Sequence, residues 1–175
     1  MPSKDRFTEE ERQQWSDFMQ AIHPTIDPQA AGLMDDFRAV AHQIHRLSES
    51  YMQSSGLSYA QYRVLMNLRF CEWTGKCDGL NPSEISANQG TTRNTISSLI
   101  RSLEENGLIE RQLDNEDRRR FNIHLSEMGR QKVVHQAGNH IKLIDELFAV
   151  LNAEEIETLS ILLKKLSQRA KTLKE

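Results

Sequence analysis

The segment Thr92-Arg93-Asn94-Thr95-Ile96-Ser97-Ser98-Leu99-Ile100-Arg101-Ser102-Leu103 decides how the rest of the chain is read. Its apolar residues fall at Ile96, Leu99, Ile100 and Leu103, the spacing that lines one face of an α-helix. The other face carries Arg93, Asn94, Ser97, Ser98 and Arg101, and no Asp or Glu occurs from Ile85 to Leu103. The 175-residue chain has 25 acids against 22 bases and a formal charge of -3, so an acid-free polar face is a local departure from its composition. Such a face suits an approach to phosphate, and Ser, Thr, Asn and Arg are side chains that read base edges in a major groove. An ordinary solvated amphipathic helix would show the same pattern, so its neighbours have to separate the two readings.

Upstream, Asn81-Pro82-Ser83-Glu84 combines a capping residue, a proline at the first helical position and an acid placed to close a capping box. The helix it opens is short, with Ile85 and Ala87 expected inward, and Gly90 ends it. Helix, tight glycine turn and amphipathic helix together form a helix-turn-helix. Downstream, Gly107 stands just past the last periodic position. Leu108 to Leu113 and Phe121 to Leu125 are then expected to pair as a two-stranded ribbon, or wing. The turn-rich tip between them, Asp114-Asn115-Glu116-Asp117-Arg118-Arg119-Arg120, ends in three arginines that can enter a minor groove or grip phosphate.

Gly90 to Arg111, Asp117-Arg118-Arg119, the closing Leu125-Ser126-Glu127-Met128-Gly129 and the earlier Leu57-Ser58-Tyr59-Ala60-Gln61-Tyr62-Arg63-Val64-Leu65 resemble, in order and spacing, the MarR family of winged-helix transcriptional regulators. The resemblance covers roughly residues 30 to 175. It implies a sequence-specific regulator of double-stranded DNA, most often a repressor, acting as a homodimer and released by a small aromatic or phenolic ligand. It also exposes one departure. Many members carry an acid in the recognition helix where this chain has Arg101, and that acid braces a wing arginine. The brace is therefore expected to be absent here or to come from elsewhere, with Asp117 as the candidate.

Outside the reading head the chain is helical. Thr8-Glu9-Glu10-Glu11 is a capping box opening an extra helix over 8–22, with Trp15, Phe18, Met19 and Ile22 on one face and Pro24 beyond it. Asp27-Pro28 opens a longer helix over 28–54, with Leu33, Phe37, Val40, Ala41, Ile44, Leu47 and Tyr51 as its expected buried stripe. Ser58 and Gln61 cap the next helix, which is expected to turn Leu65, Met66 and Phe70 inward. After the wing, Val133, Val134, Ala137, Ile141, Ile144, Leu147 and Phe148 line one helix; Ile156, Leu159, Leu163, Leu166, Ala170 and Leu173 line the last. The expected fold is mainly α with a small β-wing. Residues 1–57 and 128–175 form a helical dimerisation region, and a winged helix-turn-helix spans 58–127, with the recognition helix at 92–106 and the wing at 109–125. A two-fold dimer would set two recognition helices about one DNA turn apart on a near-palindrome.

For DNA contact the expected residues are Thr92, Arg93, Asn94, Ser97, Ser98 and Arg101 on the helix and Arg118, Arg119 and Arg120 at the wing. Arg93 and Asn94 are read as the base readers. For a small aromatic anion, Trp15, His42, Tyr51, Arg63 and Met66 offer apolar surface and cationic or hydrogen-bonding groups. His42 and His45 lie three apart, short of the three or four convergent ligands a zinc site needs, and no metal or cofactor is expected. Cys71 and Cys77 bracket a helix end; with no leader or bilayer-crossing run in sight, they read as thiols of a soluble cytoplasmic protein. Redox- or zinc-responsive regulation on the same fold, and a winged helix used only for protein contacts, stand as alternatives. No phosphate loop, nucleophile signature or paired carboxylates suggest an enzyme. Replacing Arg118 and Arg119 together by Ala is expected to weaken operator binding, and to lower its salt slope by about one for each phosphate no longer neutralised. The dimer should stay intact; unchanged binding across a salt titration would remove the wing from DNA contact.

Overall fold

A computed structural model of the protein describes residues 8–25, 27–52, 55–75, 78–113 and 121–173. Seven helices and two strands lie among them, in the order α1 (Glu9–Ile22), α2 (Pro28–Met52), α3 (Tyr59–Thr74), α4 (Pro82–Gln89), α5 (Arg93–Glu105), β1 (Ile109–Leu113), β2 (Phe121–Leu125), α6 (Glu127–Phe148) and α7 (Ala153–Thr172). The fold is mainly helical with one small antiparallel ribbon, as the sequence predicts. The chain divides into two compact units, Met1–Gln61 and Tyr62–Glu175.

In the first unit the capping box of α1 forms as expected. The Thr8 amide donates to Glu11 Oε2 at 2.8 Å, and the Thr8 hydroxyl accepts from the Glu11 amide at 3.2 Å. Trp15 and Phe18 stand together, ring centroids 5.5 Å apart, and α1 packs against α2. The stripe expected to be buried on α2 is not buried within the single chain: Leu33, Phe37, Val40 and Leu47 are exposed, and Ser48 and Met52 are the buried positions of that helix. Periodicity reports that a face is apolar; it does not say whether the same chain covers it.

The second unit holds the reading head. Ile85, Ile96, Ile100, Leu103, Leu108, Ile109, Ile123, Leu125 and Val133 are buried together with Tyr62, Val64, Leu65 and Leu68 of α3. Two expectations for α3 are corrected. Met66 and Phe70 point outward, Phe70 being 64% exposed, and Phe70 stacks on Trp73 with ring centroids 6.0 Å apart. Tyr62, Leu65, Leu68 and Cys71 take the inward face instead. Ala87 is likewise exposed and leaves Ile85 as the buried anchor of α4. Cys71 is buried and disulfide-bonded, which corrects the reading of it as a reduced thiol; Cys77 lies outside the described residues.

Gly129, in the first turn of α6, closes this unit. A Cβ built there would sit 2.0 Å from the Leu108 carbonyl oxygen, far inside contact distance. The same oxygen accepts from the Ser126 amide at 3.1 Å, and the Ser126 hydroxyl donates to the Gly107 carbonyl at 2.6 Å. Further along α6 the buried Gln136 precedes His140, whose ring meets Tyr62 edge-on at 5.4 Å. Burial pushes the His140 pKa down, because the charged imidazolium loses hydration there. Gly129→Ala is expected to destabilise the protein by about 3 kcal/mol or more, the scale of backbone overpacking that has no way to relax. Gly138→Ala, on the same helix with nothing within 4 Å of the new Cβ, is expected to stabilise it by about 0.5–1 kcal/mol. Urea unfolding of the two variants checks both signs; equal effects would mean that helix propensity, not the Leu108 contact, governs Gly129.

Candidate nucleic-acid interface

The site is built around α5, and both of its ends are fixed by local chemistry. At the start, Gly90 adopts the left-handed conformation (φ 63°, ψ 32°) that closes α4. The Ser86 hydroxyl donates to the Thr91 carbonyl at 2.6 Å across the turn, and the Thr92 side chain caps α5 by accepting from the Thr95 amide at 3.2 Å. Upstream the expected box on α4 is present, with the Asn81 amide donating to Glu84 Oε2 at 2.8 Å and the Glu84 amide to Asn81 Oδ1 at 3.0 Å. At the far end, the Gly107 amide donates to the Glu104 carbonyl at 2.8 Å and the Leu108 amide to the Leu103 carbonyl at 2.9 Å. These two bonds form a Schellman closure about Gly107 (φ 66°) and turn the chain straight into β1.

On this helix Ile96, Ile100 and Leu103 are buried, while Thr92, Arg93, Asn94, Ser97, Ser98 and Arg101 are all exposed. The Ser97 and Ser98 hydroxyls donate back to the carbonyls of Arg93 and Asn94 at 2.9 and 3.2 Å, which leaves their oxygens facing outward as acceptors. The first turn holds no acid, so the positive end of the helix dipole is uncompensated where Arg93 and Asn94 stand. Arg101 is tied to Glu105 at 3.0 Å along its own helix, an exposed pair that rearranges at little cost.

The wing ribbon pairs Ile109 with Leu125 through to Leu113 with Phe121. Leu80 adds a single bridge on its other side, exchanging hydrogen bonds with Ile123 at 3.1 and 2.9 Å, so the loop before α4 is stitched to β2. The tip, with Arg118, Arg119, Arg120 and Asp117, lies outside the described residues. Glu104, in the last turn of α5, meets Arg111 of β1 at 2.9 Å and ties the helix to the root of the ribbon, while Asp117, the acid considered for bracing a wing arginine, lies outside the described residues. An acid and a base flanking the Gly107 turn are the sequence signal for this pair, and a focus on position 101 passes over them. A second tie, between Glu72 of α3 and Arg130 of α6 at 2.9 Å, joins residues far apart in sequence and leaves no pattern to read. Glu72 also raises the Arg130 pKa, first through their hydrogen bond.

Of the residues considered for a small ligand, Trp15, His42 and Tyr51 belong to the first unit and Arg63 and Met66 to the second. The half-buried Arg63 guanidinium lies 3.5 Å from the Gln89 carbonyl at the end of α4. Among the described residues no three His, Cys, Asp or Glu converge as a metal site would need, and no helix is long and apolar enough to cross a membrane.

Comparison with known proteins agrees with this geometry. The model of the family "Transcriptional regulator SarA/Rot" matches residues 46–135, just over half of the chain. The HTH-type transcriptional repressor YetL of Bacillus subtilis is 24% identical over 153 residues, covering 87% of this chain and 89% of its own. The HTH-type transcriptional regulator PapX of Escherichia coli is 31% identical over 130 residues, covering 73% and 75%. The crystal structure of the S. aureus MepR–DNA complex superposes with a TM-score of 0.70 at 26% identity, over 78% of this chain and 95% of that one.

The two acids at the end of α5 are expected to act in opposite directions. Glu104→Gln releases Arg111 and lets the wing root tilt, which should weaken duplex binding about 2–5-fold, the range of one exposed ion pair. Glu105→Gln frees Arg101 for phosphate and should strengthen non-specific binding at low salt. Anisotropy titrations of both variants decide, and a shift of the same sign in both would reduce the effect to net charge.

Proposed function

Because the chain belongs to the MarR-like winged-helix transcriptional regulators, we propose that it binds a near-palindromic duplex operator as a homodimer, represses transcription there, and lets go when a small aromatic acid or phenol binds. The observation that carries the proposal is the exposed, acid-free face of α5, clamped at both ends and followed by a ribbon whose two strands are joined, in the sequence, by a segment ending in three arginines. In this reading Arg93 and Asn94 read bases from the N-terminal turn of the helix. Thr92, Ser97, Ser98 and Arg101 contact edges or backbone, and Arg118, Arg119 and Arg120 divide groove entry and wing support between them.

The dimerisation region is assigned to residues 1–57 and 128–175, and the reading head to 58–127. Support comes from the apolar faces that the single chain leaves open on α2, α6 and α7, because exposed apolar area on this scale marks an association surface. The repressor assignment follows the name of YetL, and the DNA ligand follows the MepR complex. Release works by population shift: the operator selects one spacing of the two reading heads, and a ligand that fits another spacing draws the dimer away from DNA. Arg63 is the cation whose replacement tests the effector class.

The test is fluorescence anisotropy on a duplex taken from beside the protein's own gene, with a scrambled duplex as control, over a salt series and a panel of aromatic acids. Tight, salt-sensitive binding to the native duplex is expected, with release by one compound class that Arg63→Ala no longer senses. Arg93→Ala or Asn94→Ala should cut the preference for native over scrambled duplex about 10-fold or more while leaving scrambled-duplex affinity nearly unchanged. Equal losses on both duplexes would count against base reading. Absence of duplex binding at every salt concentration would make the helix-turn-helix a protein-contact scaffold.

A further inference from the structure

Helix α7 has no buried residue within the chain, although Ile156, Leu159, Leu163, Leu166, Ala170 and Leu173 repeat along it at alternating spacings of three and four. That repeat is the seam of a two-helix coiled contact. The charges are divided along the helix. Glu154, Glu155 and Glu157 occupy the first half, and Lys164, Lys165, Arg169 and Lys171 the second, with no base in the former and no acid in the latter. A parallel pairing of two copies would set acids beside acids and bases beside bases. An antiparallel pairing sets each acidic half against a basic one.

The spacing goes further and selects a register. Take the seam positions as alternating core layers, so that each core residue of one helix faces the opposite layer of the other. Glu155, Leu162 and Arg169 then fall at one flanking position, one residue before the core residues Ile156, Leu163 and Ala170. In antiparallel pairs, equal flanking positions face each other. When Leu159 meets Leu163 of the second copy and Ile156 meets its Leu166, Glu155 stands opposite Arg169 of the second copy. The symmetric contact puts Arg169 opposite the other Glu155, and Leu162 meets its own counterpart on the two-fold axis. Slipping by one heptad in either direction sets Glu155 or Arg169 against Leu162 and breaks both ion pairs. Leu162 is 51% exposed in the single chain, a large apolar side chain outside the main seam that this register alone places against its own copy. Glu155 already accepts the Asn152 amide at 2.8 Å through Oε2 as part of the α7 capping box, a bond that takes one oxygen and fixes the carboxylate at the helix start.

We propose that α7 is a self-recognition surface: two copies of the chain pair through antiparallel α7 helices in the register that joins Glu155 to Arg169 across the two-fold axis. This rests on the homodimer proposed above and specifies its orientation and register. Acids near a helix N-terminus and bases near its C-terminus also suit the helix dipole alone, without any partner, so the test has to separate pairing from propensity.

The experiment compares the wild-type full-length chain with the charge-swapped variant E155R/R169E. The two have identical compositions, so the wild type is labelled with ¹⁵N. They are mixed, unfolded in urea, refolded together, and their dimers counted by native mass spectrometry at low ionic strength. The expected result is self-sorting, with mixed dimers falling from the statistical half to below about a fifth, because a mixed pair sets Glu against Glu and Arg against Arg. A preference for mixed dimers would overturn the proposal. Statistical mixing would also overturn it, reducing the charge division to the helix dipole while the homodimer stands. Monomers alone, for the wild type at every concentration, would remove the homodimer and the register together. A second measurement covers poor refolding of the swapped chain. E155Q keeps the capping box, since Gln closes it as Glu does, and should weaken dimerisation of the natively purified protein about 3–30-fold at low salt, with the difference vanishing at high salt. An E155Q dimer as tight as the wild type at low salt would overturn the register.

Discussion

The reading head depends on a backbone contact at the exit of the recognition helix. Gly107 bends the chain into the left-handed region, Leu108 hands its amide back to the helix and its carbonyl forward to Ser126, and Gly129 lets the first turn of α6 lie directly on that carbonyl. Recognition helix, wing and α6 meet at this one peptide unit. The orientation of α5 relative to the ribbon is therefore set by hydrogen bonds of fixed length, not by flexible side chains. This suits a protein that must match the groove of a stiff partner. Side-chain packing then completes what the backbone begins: Ile96, Ile100 and Leu103 from the helix, with Leu108, Ile109, Ile123 and Leu125 from the wing root, form one buried cluster.

On that frame the electrostatics are local. A chain with net charge -3 does not attract DNA by its overall field. In the proposed reading it does so through the acid-free face of α5, with several neighbouring acids held in ion pairs. Glu104 is engaged by Arg111, Glu105 by Arg101, and Glu72 by Arg69 and Arg130. Each pair is partly exposed and contributes little to folding. Their value is positional, since they decide which cations face outward and which hold neighbouring elements in place. The exposed apolar surfaces are a separate matter. Leu33, Phe37 and Val40 on α2, Ile141 and Ile144 on α6, and the whole seam of α7 stand open in the single chain, at a cost in water that association would offset.

Much of the local structure was legible in the sequence, because caps and glycine stops act over three to five residues. The boxes at Thr8 and Asn81 and the Gly90 and Gly107 turns form as their residue types require. Element order, the exposed polar face of α5 and the ribbon after it follow from the same local chemistry and from periodicity. What failed were statements about which apolar residues point inward. Met66, Phe70 and Ala87 were expected to be covered and are not, because a short helix carries apolar residues on more than one side and only its packing chooses among them.

Residue order alone was enough for the caps and glycine stops that begin or end most elements, for the acid-free face of α5, and for the seam with divided charge on the terminal helix. These are properties of neighbours along a chain, and spacing and residue type suffice for them. Only the packing of the chain joins Glu72 of α3 to Arg130 of α6 and sets the first turn of α6 on the Leu108 carbonyl, where Gly129 is needed for its missing Cβ. Each of these depends on which atoms of distant segments come within a few ångströms. That distance is fixed by the packing of whole helices and a ribbon, and no repeat along the chain encodes it.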